Sequence, residues 1–296
     1  MLNGVININK PEGISSFDVI RKLKPLVGKV KIGHAGTLDP LASGVLPICL
    51  GPATKAIDYF MNDTKIYRTI LKLGITTDTY DREGTILFKK DASSVTIMEI
   101  LSVLKGFKGT INQYPPMYSA LKVNGQRLYD LARKGIEIER EAREVTIYAL
   151  NLLSYDNASS ELELRVRCSK GTYIRSLCKD IGDALGCGAY MKELTREKNG
   201  VFDLSHSVNL DTLNTSNISE YILPLDSLLN KYNKIQLDPY FLKLFINGVS
   251  IQDRALIDEL DNNYTLYRVY DIDNNFIGIG RFANKAFKAD KVFITR

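Results

Sequence analysis

With 296 residues the chain is about twice the length of a typical single domain, which predicts two domains, one of them a small appendage. Apolar residues at 45% and charged residues at 25% are ordinary globular values and exclude global disorder, collagen-like repeats and a coiled coil. The 39 Lys and Arg against 34 Asp and Glu give a net charge of +5, which implies a polyanionic partner only where the positive charges cluster.

No stretch approaches the roughly eighteen apolar residues of a membrane helix, and the start Met1-Leu2-Asn3-Gly4 has neither a basic nor an apolar leader region. A soluble cytoplasmic protein is expected. Cys49, Cys168, Cys178 and Cys187 form no C-x-x-C pair, and the histidines are His34 and His206. This argues against a structural metal site or a disulfide scaffold and for four buried or half-buried free thiols.

In chain order, Val5 to Ile8 alternates as a strand and ends in the turn Lys10-Pro11-Glu12-Gly13. Ser15 and Ser16 then cap a helix with Phe17, Ile20, Leu23 and Val27 as its apolar positions, closing at Gly28. Arg21 to Leu38 holds five Lys or Arg residues and no carboxylate, a local basic patch. Gly33 to Ser43 has no clean period and reads as a loop feeding an apolar strand from Val45 to Leu50, with a short helix from about Thr54 to Met61 after it.

Lys65 to Leu73 predicts a strand, Asp81 to Gly84 a turn, and Thr85 to Phe88 another strand. Thr96 to Phe107 predicts a helix with Ile97, Ile100, Leu101 and Leu104 on one side, and Gln126 to Lys134 a second helix stopped at Gly135. Leu162 to Cys168 alternates as a half-buried strand running into Gly171 and a helix from about Tyr173 to Leu185. Strands and helices are interspersed without a steady βαβ rhythm. The expected fold is α+β, with a mixed, largely antiparallel central sheet flanked by helices.

After Leu223-Pro224-Leu225 the texture changes to a short helix at Tyr240 to Ile246 and strands at Tyr264 to Tyr270 and Phe276 to Arg281, which suggests a small β-barrel-like module. Its last stretch, Arg281 to Arg296, holds five basic residues against Asp290. The expected domains are residues 1–225 and 230–296.

The densest chemistry lies in Gly33-His34-Ala35-Gly36-Thr37-Leu38-Asp39-Pro40-Leu41-Ala42-Ser43-Gly44. The loop lacks the Gly-Lys-Ser/Thr of a phosphate loop, and His34 with Asp39 is too few ligands for a metal, so neither a cofactor nor a metal is expected. An Asp before Pro is ordinarily a turn-former. Here the run from Gly33 to Pro47 resembles the catalytic motif of bacterial tRNA pseudouridine-55 synthases, enzymes that isomerise a uridine in the T-arm of tRNA.

The resemblance extends to Asn9-Lys10-Pro11-Glu12-Gly13-Ile14-Ser15-Ser16, Lys65-Ile66-Tyr67, Tyr114-Pro115-Pro116-Met117-Tyr118-Ser119-Ala120, Ser169-Lys170-Gly171-Thr172-Tyr173-Ile174-Arg175, and Leu194-Thr195-Arg196 with Gly200-Val201-Phe202. Thr195 stands where the family more usually has arginine. The resemblance implies a pseudouridine synthase fold, with a PUA-type RNA-binding module at the C-terminus.

It also implies roles. Asp39 is the catalytic carboxylate that breaks the N1–C1′ glycosidic bond before the uracil rotates and rejoins through C5. An ionised carboxylate in a closed pocket requires an opposing cation, and Arg175 is the family's partner for it. Tyr67 is a stacking platform or general base, Tyr173 and Leu194 line the uracil pocket, and His34 helps hold the flipped base out of the RNA stack. Lys10 and Pro11 support the floor. Lys29, Lys31, Lys122, Arg127, Arg133 and Arg196 are expected on the RNA backbone. The implied partner is tRNA, through its T-arm and acceptor end, bound by a monomer without membrane or obligate protein partner. A tRNA-folding protein without catalysis is the competing reading.

Overall fold

The computed structural model describes residues 2–119, 121–123, 125–258, 260 and 265–294. Its spine is the Lys65–Leu73 strand, whose side chains alternate: Lys65, Tyr67, Thr69, Leu71 and Leu73 are buried on one face, while Arg68 is exposed on the other. Ala189–Asn199 pairs with it on one side and Glu161–Cys168 on the other. The full central sheet runs Val208–Asn209, Gly4–Lys10, Ser43–Leu50, Ala189–Asn199, Lys65–Leu73, Glu161–Cys168, Arg143–Asp156, Gly109–Gln113. Ile32–His34 and Phe202–Asp203 pair off this path. Two pairings are parallel, Gly4–Lys10 with Val208–Asn209 and Ala189–Asn199 with Ser43–Leu50, and the others in this sheet are antiparallel. The sheet is thus mixed and largely antiparallel, as expected.

The Ser16–Val27 helix starts with a reciprocal cap: the Ser15 hydroxyl accepts from the Asp18 N–H and the Asp18 carboxylate from the Ser15 N–H. Removing such a cap costs about 1 kcal/mol. Its buried stripe is Ser16, Val19, Leu23 and Val27. Phe17 departs from the expectation; it is 58% exposed, with the Arg21 guanidinium 5.3 Å from its ring centre. The Ile174–Ala184 helix packs on Ala189–Asn199 and Lys65–Leu73 and buries Ile174, Arg175, Leu177, Cys178 and Ile181. All four cysteines are buried and free.

Other expectations shift. In the Ile97–Gly106 helix Ile100 and Leu104 are buried against Arg143–Asp156 and the Ile174–Ala184 helix, but Ile97 and Leu101 lie exposed on the face turned away. The expected helix from Gln126 shortens to Leu128–Ala132, since Gln126–Arg127 pairs with Lys122–Val123 in a small hairpin. Gly33 and His34 leave the expected loop to join a short strand.

The C-terminal residues form a separate four-stranded sheet, Asn233–Gln236, Leu266–Tyr270, Phe276–Ala283 and Ala286–Val292 in that order. It has its own core of Ile235, Leu237, Phe245, Ile251, Val269, Ile277 and Phe287. Tyr264, the expected start of one strand, lies outside the described residues. A further cluster joins this module to the central sheet, with Ile279 and Phe293 packed among Val45, Cys49, Tyr59, Phe60, Leu225 and Leu229. There Asp290 accepts from the Tyr59 hydroxyl and pairs with Arg281.

Candidate active site

Asp39 sits in the irregular segment 35–42 between two strands, and buried groups fix that segment from behind. Arg196, 1% exposed on the Ala189–Asn199 strand, donates to the carbonyls of Val45 (2.7 Å), Gly36 (3.0 Å) and Thr37 (3.4 Å), and Asn199 donates to that of Ala35 (2.8 Å). Gly44 lets the loop close against that strand: its φ is +104°, and a Cβ there would stand 2.3 Å from the Arg196 carbonyl oxygen. Below, the Lys10 ammonium donates to the carbonyls of Ile14 (2.7 Å), Pro11 (2.8 Å) and Pro40 (3.2 Å). Lys10 and Pro11 therefore underlie the loop.

The expectation that Arg196 contacts the RNA backbone does not hold. Its guanidinium is enclosed and engaged with loop carbonyls, so it can shape the Asp39 loop but not reach a phosphate. Thr195, in the position of the usual arginine, bonds Ser43 side chain to side chain at 2.9 Å.

From the neighbouring helix Arg175 brings Nε to 2.9 Å from Asp39 Oδ2; the contact is ionic, without the angle of a directed hydrogen bond. The Arg175 side chain is 6% exposed and that of Asp39 37%, so the carboxylate faces open space while its cation is enclosed. Arg175 also meets Asp81 Oδ2 and the Thr79 carbonyl at 3.3 Å and the Tyr118 carbonyl at 2.8 Å. Asp81 in turn accepts from Thr79 Oγ1 (2.6 Å) and the Glu83 N–H (3.1 Å). Burial pushes the Asp81 carboxyl up, against the pull of these bonds and of Arg175. One guanidinium thus sits between two carboxylates.

Asp39, Tyr67, Tyr173, Arg175 and Leu194 share one cavity of about 720 Å³, the size of site that encloses a small organic ligand. Register brings Tyr67 beside Arg196 and Leu194 beside Thr69 across adjacent strands. Tyr67 is 9% exposed, and burial pushes its hydroxyl up. His34 stands outside the lining, its Nδ1 buried and unpartnered, with burial and Arg196 pulling its imidazole down. Lys29 and Lys31 are exposed beyond the Ser16–Val27 helix, and Arg133 is exposed over the Tyr129 ring. The side chains of Lys122 and Arg127 lie outside the described residues. Sequence reasoning missed Asp81, which read as a turn residue, and Asn199, for which nothing in the local pattern speaks.

Lys10 and Lys65 carry a consequence for stability. Burial, the largest cause in both, lowers each ammonium from 10.5 to about 8, against the pull of Asp39 on Lys10 and Asp63 on Lys65. Between those values the unfolded chain holds protons that the folded chain has released, so these two groups make stability rise with pH from about 8 to about 10. Above about pH 10 the buried hydroxyls of Tyr59 and Tyr67, pushed up by burial, reverse the trend. In denaturant titrations Lys10→Met is expected to flatten the rise; an unchanged slope would contradict the assignment.

A family model described as the TruB family pseudouridylate synthase N-terminal domain matches residues 24–174, and one described as the tRNA pseudouridylate synthase B C-terminal domain matches residues 175–230. The chain is 51% identical over 293 residues to the tRNA pseudouridine synthase B of Clostridium tetani (strain Massachusetts / E88), spanning 99% of this chain and 100% of that protein. It is 52% identical over 293 residues to the protein of the same name from Clostridium acetobutylicum, spanning 98% and 99%. Among solved structures, one of an H/ACA RNP bound to a substrate RNA containing 2′-deoxyuridine contains a chain of similar fold, with TM-score 0.70 and 23% identity over 99% of this chain and 86% of that one. A loop carboxylate paired with a helix guanidinium in an aromatic-walled cavity, the two family models and half-identical relatives over the whole length lead to one assignment: the chain belongs to the TruB family of pseudouridylate synthases.

Proposed function

We propose that the chain converts uridine 55 in the T-arm of tRNA to pseudouridine, without a cofactor, as a cytoplasmic monomer. The observation that carries this reading is the contact of Asp39 with the enclosed Arg175 in a cavity that Tyr67, Tyr173 and Leu194 also line. The reaction is an internal exchange: the N1–C1′ bond breaks, the uracil turns, C5 bonds to C1′, and the C5 proton leaves while N1 gains one. No reagent is consumed. What the protein must supply is a carboxylate to assist departure of the base from C1′, a cation to hold that carboxylate, and walls that retain the detached base while it rotates.

In this reading Asp39 is the reacting carboxylate and Arg175 its counter-ion. Tyr67, its hydroxyl pushed up by burial, serves as a platform for the base or as a general base. Tyr173 and Leu194 contact the uracil, and His34 helps keep the extruded base out of the stack. Extrusion costs roughly a few kcal/mol, offset by these contacts. Lys29, Lys31, Lys122, Arg127 and Arg133 take the phosphates of the T-arm, and residues 230–296 act as a PUA-like RNA-binding module contacting the acceptor end. Residues 1–225 are the catalytic domain. The separate sheet and core of the C-terminal residues support that division.

The test is to incubate the protein with unmodified tRNA transcript, without cofactor, and map pseudouridine by position. One product, at uridine 55, is expected; no product would end the proposal, and product elsewhere would move the target. The phosphate surface has its own check. Lys29→Glu with Lys31→Glu should weaken tRNA binding and reduce the slope of log K against log salt by about 1 to 2 units, since fewer counterions are released. Unchanged affinity across salt would place the RNA surface elsewhere.

A further inference from the structure

Gln113 ends the Gly109–Gln113 strand at the outer edge of the central sheet and is 1% exposed. Its side-chain amide uses both ends on a single residue sixty positions away. Oε1 accepts from the Tyr173 N–H at 2.7 Å, and Nε2 donates to the Tyr173 carbonyl at 3.0 Å. The amide orientation follows from this pairing, because the reverse would set donor against donor and acceptor against acceptor.

Tyr173 precedes the first turn of the Ile174–Ala184 helix and offers it no side-chain cap. Gln113 therefore fixes, from outside, the peptide units where that helix begins. The chain after Gln113 repeats the attachment: the Tyr114 carbonyl accepts from Ser176 Oγ at 2.9 Å and the Tyr118 carbonyl from Arg175 Nη2 at 2.8 Å. These contacts fall on Tyr173, Arg175 and Ser176, of which Tyr173 and Arg175 line the cavity.

We propose that Gln113 is a positioning residue: by clamping both backbone groups of Tyr173 it sets the direction of the Tyr173 ring and the register that brings Arg175 to Asp39. The proposal rests on the reading of Tyr173 and Arg175 as active-site groups. Gln113 touches neither base nor carboxylate, so its effect belongs in the rate of the chemical step and not in the docking of RNA.

Two variants test it. Gln113→Met keeps the length and packing but forms neither bond; Gln113→Glu keeps the acceptor and turns a carboxylate oxygen toward the Tyr173 carbonyl. With tRNA transcript both are expected to lower the single-turnover rate constant roughly 10- to 100-fold while the Kd for tRNA stays within about 2-fold of wild type. A merely structural role would reduce the fraction of active protein, measured by active-site titration, and leave the rate constant of that fraction unchanged. An unchanged rate constant, or a loss of rate matched by an equal loss of affinity, overturns the proposal. Wild type inactive on tRNA overturns the functional reading and this inference with it, whereas active wild type beside a wild-type-like Gln113→Met overturns the inference alone.

Discussion

Asp39→Asn is expected to lower pseudouridine formation by roughly 10⁴-fold or more, the scale on which loss of a reacting side chain falls in other enzymes. Asparagine has nearly the same shape, so the loop should keep its course: Arg196, Asn199 and Lys10 hold segment 35–42 through main-chain carbonyls and do not depend on the Asp39 side chain. The change removes the negative charge that assists bond cleavage and leaves the enclosed Arg175 with Asp81 as its remaining carboxylate. Binding of tRNA should stay within a few-fold, because phosphate contacts and base stacking dominate affinity. The comparison also separates catalysis from tRNA folding: a variant with no isomerase activity that still promotes folding would mean the chain does both. An Asn variant that retained even a tenth of the wild-type rate would remove Asp39 from the chemistry.

How much of this was legible in the sequence depended on whether a signal was local. The strand around Tyr67 showed itself because Lys65 to Leu73 is a short run of Ile, Tyr, Thr and Leu with basic residues marking one face, and the burial of its side chains alternates in the fold. The Ala189–Asn199 strand, which carries Leu194 and Arg196, did not, since register shifts at Met191/Glu193 and Arg196/Lys198 break the period of two. Arg143–Asp156 was hidden in the same way, by shifts after Ile147 and Leu152. In the site, Asp39 and Arg175 were readable from motif resemblance, and the expectation of an opposing cation followed from the chemistry of a carboxylate in a pocket. Arg196 misled because an arginine beside an RNA-binding motif reads as a phosphate contact; only the fold reveals that its donors meet three carbonyls of segment 36–45. Asp81 and Gln113 act through partners 94 and 60 residues away, and no window of sequence holds both halves of such a contact.

Arg175→Met is expected to be the most damaging substitution for stability in the site, and its cost should depend on pH. The side chain is enclosed and meets two carboxylates and two carbonyls, so removing it leaves Asp81, 8% exposed at its side chain, without a cation and the Thr79 and Tyr118 carbonyls without that donor. Breaking one side of a buried pair costs about 3–5 kcal/mol, mostly from the charge left behind. The sign of the pH effect follows from Asp81. Burial already pushes its carboxyl up, and without Arg175 it should rise further. The folded variant then holds a proton that the unfolded chain has released, and stability falls as pH increases through that interval. Denaturant titrations at pH 5 and pH 8 should show a larger deficit relative to wild type at pH 8; equal deficits would mean that Asp81 is not the group left uncompensated. Arg175→Lys should recover part of the stability but little of the activity, because a single ammonium cannot reproduce a planar fork that meets Asp39, Asp81 and Tyr118 together. Recovery of both by lysine would reduce the role of Arg175 to its charge.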